Sequence, residues 1–142
     1  MDEPGETPTP DGVVTRHSPW SVTETVARLT SALEGAGAKL FATFDHSGEA
    51  QRAGLSLRDT KVLVFGNPAA GTALMQENPL IALDLPLKVL VWQNDGNDVC
   101  VTYLAGAWLA DRYGIAEADK AKVLAAVDRI VASVTSAESG AG

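Results

Sequence analysis

A single cysteine, Cys100, stands in the 142-residue sequence, so neither an intramolecular disulfide nor a multi-thiolate metal site can form. Cations are scarce as well: 11 Lys and Arg face 18 Asp and Glu, for a formal net charge of -7. That shortage disfavours a sequence-independent grip on nucleic acid, which needs Lys and Arg to displace counterions from phosphates. It disfavours an anionic membrane surface for the same reason. No apolar run approaches the roughly 18 residues that would span a bilayer. Met1–Asp11 is acidic and punctuated by Pro4, Pro8 and Pro10, without the basic start and apolar stretch of a secretory signal. The expectation is a cytoplasmic protein.

What is present is ordinary globular material. Hydrophobic residues make up 46% and charged residues 20%, enough for one core at this length. The ends read differently from the middle. Residues 1–11 form a Pro/Thr/Glu tail and residues 136–142 a small polar one, neither able to bury enough apolar area to offset its ordering entropy. A single domain is expected over residues 12–135.

Within it, Val13–His17 is short and β-branched and reads as a first strand. Ser21-Val-Thr-Glu24 spells a capping box, in which Ser21 accepts the Glu24 amide and the Glu24 carboxylate reaches back. Val22, Val26, Leu29 and Leu33 then share one helical stripe, stopped by Gly35 and Gly37. Leu40–Asp45 is a second strand that turns at His46-Ser47-Gly48, with a helical turn over Glu49–Ala53. Lys61–Phe65 is a third, closed by Gly66-Asn67-Pro68 and followed by a helix over Ala69–Glu77. Lys88–Trp92 and Val99–Leu104 flank the polar stretch Gln93–Asp98 and read as a hairpin. A helical turn over Trp108–Tyr113 precedes a final helix over Ala116–Val134, with Val123, Val127, Ile130 and Val134 along one face. The fold class that follows is α+β. About five strands form an antiparallel sheet with helices on one face, in the order β-α-β4-α.

Several residues invite chemical readings. His46 sits at a strand end, where an imidazole can serve as general acid or base, or as a ligand. Asp45 cannot simply orient it, because neighbours on a strand point to opposite faces. The plainer role is structural, with His46 hydrogen-bonding the following turn and Asp45 accepting the Ser47 and Gly48 amides. Gly66-Asn67-Pro68 opens a helix but lacks the lysine and spacing of a phosphate loop, so Asn67 as cap and Pro68 at the first helical position is the structural reading. Leu85-Pro86 belongs at a strand start, since proline cannot donate to a ladder. Cys100 alternates with Val99 and Val101 and has no activating base nearby in sequence. Metal or haem binding would rest on His46, His17, Met75 or Cys100, with no paired spacing to support it. Trp92 and Trp108 suit half-buried sites.

The stretch from Phe41 to Ile115 carries a family likeness. It holds Asp45-His46, the turn Leu63-Val-Phe-Gly-Asn-Pro68, then Gly71-Thr-Ala-Leu-Met-Gln76, Leu83-Asp-Leu-Pro-Leu87 and Val101-Thr-Tyr-Leu104. In this order and spacing the chain resembles the DUF 302 family of bacterial and archaeal domains of unknown function. The resemblance implies a TBP-like β-α-β4-α topology, often as a homodimer, and no established reaction. Some members carry a cysteine after the proline of the Leu-Pro turn; Leu87 stands there here, so thiol chemistry does not transfer.

The functional expectation is a homodimeric small-molecule-binding module with no cofactor. Its cleft would lie at the strand ends, bounded by His46, Asn67, Pro68, Leu85, Pro86 and Tyr103. Two alternatives stand beside it: a small hydrolase or isomerase using His46 as general base, and metal or haem binding through His46.

Overall fold

The computed structural model describes residues 9–136. Most of the two expected tails, residues 1–8 and 137–142, lie outside the described residues. Five strands, β1 (Val13–Ser18), β2 (Lys39–Asp45), β3 (Thr60–Gly66), β4 (Leu87–Gln93) and β5 (Val99–Leu104), form one sheet in the order β1-β5-β4-β3-β2. Every neighbouring pair is antiparallel. Two long helices, α1 (Val22–Gly35) and α5 (Ala118–Thr135), cover it, and three short ones lie between strands: α2 (His46–Arg52), α3 (Pro68–Glu77) and α4 (Gly106–Arg112). A 3-10 helix, Pro79–Asp84, follows α3. With the short helices set aside, the order is the expected β-α-β4-α.

Alternation of side chains along the strands decides which face is covered. Leu63 and Phe65, Val89 and Val91, and Val101 and Tyr103 point the same way and are buried against Val22, Leu29 and Leu33 of α1 and Val127, Val131 and Val134 of α5. Each such side chain contributes about 1.5–3 kcal/mol on leaving water. On the opposite face Val62, Val64, Leu90, Trp92 and Thr102 are only half-buried, and Phe44 is 54% exposed. The helices therefore occupy one face and leave the other bare.

Local signals were realised with informative exceptions. Ser21 caps α1 by accepting the Glu24 amide at 3.0 Å, but the reciprocal half of the box is missing. The Glu24 carboxylate takes Arg28 one turn on instead, at 2.9 Å. The buried stripe of α5 is Leu124, Val127, Val131 and Val134, one residue off the expected Val123 and Ile130. Those two are half-buried at its edges because α5 serves two apolar clusters rather than one. The 3-10 helix was not read from the sequence.

The second cluster lies beyond the sheet end and joins Leu74 of α3, Ile81 of the 3-10 helix, Leu109 and Ala110 of α4, Ile115, and Leu124 of α5. Gly106 lets α4 press onto α5: a β-carbon there would lie 2.4 Å from the Leu124 carbonyl oxygen.

Candidate functional site

The apolar run of β3 ends at Gly66, and the next two residues turn the chain into α3. Asn67 is extended, so its side chain can accept the Ala70 amide at 3.1 Å, and Pro68 fills the first helical position where no donor is needed. At the other end of α3, Asn78 accepts the Leu80 amide at 3.0 Å and donates to the Tyr113 carbonyl at 2.9 Å. The 3-10 helix is thereby tied to the end of α4. The chain re-enters the sheet through Leu85-Pro86, whose peptide bond is cis.

These segments enclose a cavity of about 180 Å3 lined by Gly66, Asn67 and Pro68, by Gly71, Leu74 and Met75 of α3, by Leu85, Pro86 and Leu87, and by Val123 and Leu124 of α5. Phe41 stands at its mouth, 44% exposed. The register of β2 against β3 skips this residue, passing from Leu40↔Phe65 to Ala42↔Val64, and a bulge of this kind re-aims a side chain. Among the described residues no charged side chain lines the cavity, and the amide there, Asn67, spends its oxygen on the helix cap. Apolar cavities of about 150 Å3 stay dry and take a molecule the size of benzene.

The six residues expected around one cleft do not converge. Asn67, Pro68, Leu85 and Pro86 share this cavity wall. Tyr103 is 4% exposed inside the main core, its hydroxyl accepting the Arg16 Nε at 3.4 Å, and it borders a separate hollow with Asp84 and Lys88. His46 is at the wrong end of the sheet. Lys39 pairs with Gly66 while Asp45 pairs with Lys61, so the length of β2, about 20 Å at 3.3 Å per residue, separates His46 from the Gly66 turn.

His46 is also not the turn's hydrogen-bonding residue, which corrects the structural reading of it. It is the exposed first residue of α2 and makes no side-chain hydrogen bond among the described residues. Asp45 caps the helix, accepting the Gly48 amide at 3.0 Å and the Ser47 hydroxyl at 2.6 Å. These bonds, the one from Ser47 first, hold the Asp45 carboxyl below its ordinary value. Ser47 Oγ in turn accepts the Thr60 amide at 3.1 Å, and Lys61 Nζ lies 2.7 Å from Asp59 and 3.6 Å from Asp45. The serine and lysine side by side suggest a nucleophile with its base, but Asp59 raises the Lys61 pKa and keeps the amine protonated. The cluster fastens α2 to β3. Cys100 is 3% exposed, and burial pushes its thiol up, away from the thiolate that chemistry would need.

The family model "Domain of unknown function DUF302" matches residues 14–134. This chain belongs to the DUF302 family. The crystal structure of an uncharacterized conserved DUF302 protein from Bacillus stearothermophilus superposes with a TM-score of 0.72 at 20% identity, over 89% of this chain and 97% of that one. At that identity the likeness concerns the fold.

Curated relatives of this DUF302 chain have a more specific name. It is 40% identical over 104 residues to "Fluoride-specific ion channel FluC 1" of Brucella suis, covering 73% of this chain and 41% of that protein. The match to "Fluoride-specific ion channel FluC 2" of Brucella melitensis has the same identity and covers 38% of that protein. This chain thus spans about two fifths of the curated relatives it matches. Among the described residues no helix is long and apolar enough to cross a membrane, and no three His, Cys, Asp or Glu side chains gather where a metal ion would sit.

The wall residues absent from the sequence expectation include Phe41, Gly71, Leu74, Met75, Ala82, Leu87, Val123 and Leu124; they come from a bulge, from the start of β4 and from helices that meet only in the folded chain. One signal was available. Gly71 lies inside α3, where glycine costs about 0.5–1 kcal/mol against alanine, and a β-carbon there would meet nothing nearer than Met75 Cε at 4.0 Å.

Proposed function

We propose that this DUF302 domain is a homodimeric cytoplasmic module that binds a compact apolar small molecule in the cavity between α3, the Leu85–Leu87 segment and α5. The observation that carries the reading is the open, uncharged cavity itself, walled by Leu74, Met75, Leu85 and Leu124 with Phe41 at the mouth. Interiors are ordinarily filled to crystal-like density, and Gly71 gives up helix stability without any packing demand for a bare backbone. Among the described residues His46 has no hydrogen-bond partner to orient it for catalysis, and it belongs to no group of three potential metal ligands. Pairing of two chains through the bare sheet face would cover Phe44, Val62, Leu90 and Trp92, which otherwise stay in water.

Two measurements test this reading. Protein purified from its native host and extracted into organic solvent should release an apolar compound in near-stoichiometric amount, and Gly71→Leu should abolish the yield. An empty wild-type extract, with no gain in melting temperature from any member of an apolar fragment set, would refute the ligand-binding reading. Light scattering should give twice the chain mass of 14.8 kDa; a monomer at micromolar concentration would refute the dimer.

A second reading comes from the curated relatives. Among the described residues of this chain no helix is suited to a bilayer, so the segment it shares with the Brucella channel proteins would sit beside their membrane part. The domain would then serve fluoride passage from beside a channel. Deleting the gene should lower the fluoride concentration that stops growth; unchanged tolerance would dispose of it.

A further inference from the structure

The ligand's chemical class follows from what lies next to the cavity, granted the binding reading just given. A second hollow of about 310 Å3 meets the cavity along Gly66, Asn67, Leu87 and Val123, which line both. Its other walls are apolar side chains of β3, of the turn after α1 and of α5, with two exceptions: Lys122 and Arg129, both on α5. These stand seven residues apart, two helical turns, and so project from the same side of the helix.

Nearly all other cations are committed. Arg28 pairs with Glu24, Arg52 with Glu49, Arg58 with Asp95, Lys61 with Asp59, Arg112 with Asp84 and Lys120 with Glu77. Arg16 bonds the Tyr103 hydroxyl, Lys88 reaches the Pro86 carbonyl, and Lys39 lies over the Phe41 ring. Among the described residues, Lys122 and Arg129 have neither an ion pair nor a hydrogen bond. Among the described residues no Asp or Glu lines either hollow, although the chain carries 18 of them and a net charge of -7. In so acidic a chain, two unpaired cations on one groove that no described carboxylate lines give a local positive field where an anion would lodge.

We infer that the ligand is an amphipathic anion whose apolar body fills the cavity and whose carboxylate or similar head reaches Lys122 and Arg129 across Gly66. The bare Gly66 backbone suits the crossing, since its nearest side-chain neighbours are Phe41 and Pro86 on the cavity side. Sodium hexanoate and 1-hexanol, which share an apolar body, separate the inference from the reading it rests on. Both are titrated into the full chain at low salt and followed by amide chemical shifts. Hexanoate should bind about tenfold tighter than 1-hexanol, the yield of two partly solvated charge contacts. The double variant Lys122→Gln/Arg129→Gln should lose that advantage while binding 1-hexanol as before. Equal affinities in the wild type, or an undiminished preference in the double variant, would overturn the anionic head and leave the apolar cavity standing. If neither compound perturbs Gly66, Gly71 or Val123, both the inference and the binding reading fail. Wild-type-like amide shifts in the unliganded double variant check that it is folded.

Discussion

The two apolar clusters use similar residues and reach different results. In the first, two long helices lie along a sheet, and Leu29, Leu33, Leu63, Val89, Val91, Val101 and Val131 have no exposed surface at all. In the second, Leu74, Ile81, Leu109 and Leu124 are as fully buried, yet a cavity of about 180 Å3 remains beside them. The difference lies in the pieces. Ridges of a long helix fill the grooves of a neighbour over several turns, whereas α3, the 3-10 helix and α4 supply ten, six and seven residues. Short pieces are held by polar anchors instead: Asn78 on Tyr113, Tyr113 and Arg112 on Asp84, Lys120 on Glu77, and the Asp128 carboxylate on the Gly106 amide. Anchors fix positions without filling space, so this cluster can stay open.

The largest effect that sharpens this contrast is truncation in the closed cluster. Leu63→Ala should cost near the upper end of the 2–5 kcal/mol range typical of buried leucines, about 4 kcal/mol. Leu74→Ala, which only widens an existing space, should cost about 2 kcal/mol. Denaturant melts of the two variants measure the difference, and equal losses would mean the clusters are packed alike. Next comes Gly106→Ala. Its β-carbon would run into the α5 backbone, and the displacement of α4 should cost about 1–3 kcal/mol. A neutral result would show that α4 floats. Gly71→Ala should go the other way, raising stability by about 0.5–1 kcal/mol through helix propensity while narrowing the cavity. A loss there would mean that packing requires the glycine.

The smallest effect is at the opposite end of the sheet, in acid. The Asp45 carboxyl is depressed by the Ser47 and Gly48 bonds, so it binds protons less readily folded than unfolded. Its stabilising effect is present above the ordinary carboxyl value of about 3.9 and disappears as pH falls through the lower folded value. Asp45→Asn should flatten the stability–pH curve below about pH 4 and leave its shape near neutrality unchanged. A curve parallel to the wild type throughout would remove Asp45 from the account.

Sequence patterns made the frame legible. Period-two β-branched runs gave the strands, Ser21 and Asn67 marked helix starts through their capping chemistry, and the polar Asn/Asp/Gly stretch joined β4 to β5. A smaller part of the candidate site was legible too, because Asn67-Pro68 and Leu85-Pro86 are backbone punctuation with local causes. Gathering His46 and Asn67 at one place failed for a reason already contained in the fold expectation. In an antiparallel pair the turn after β2 and the turn after β3 must lie at opposite ends. Apart from the Gly71 signal, the rest of the wall was illegible in principle: the Phe41 bulge and the placing of Val123 and Leu124 depend on register and on helix meeting helix, which no local pattern encodes.

The decisive question is whether the second cluster is open to a guest. An amide chemical-shift titration of the full chain with 1-hexanol, repeated on Gly71→Leu, tests it most directly. The wild type should show saturable shifts at Gly66, Gly71, Leu87 and Val123 with none at Val91 or Val101, and the variant should show no saturation. Shifts scattered over the bare sheet face, or unchanged binding in Gly71→Leu, would contradict an open cluster.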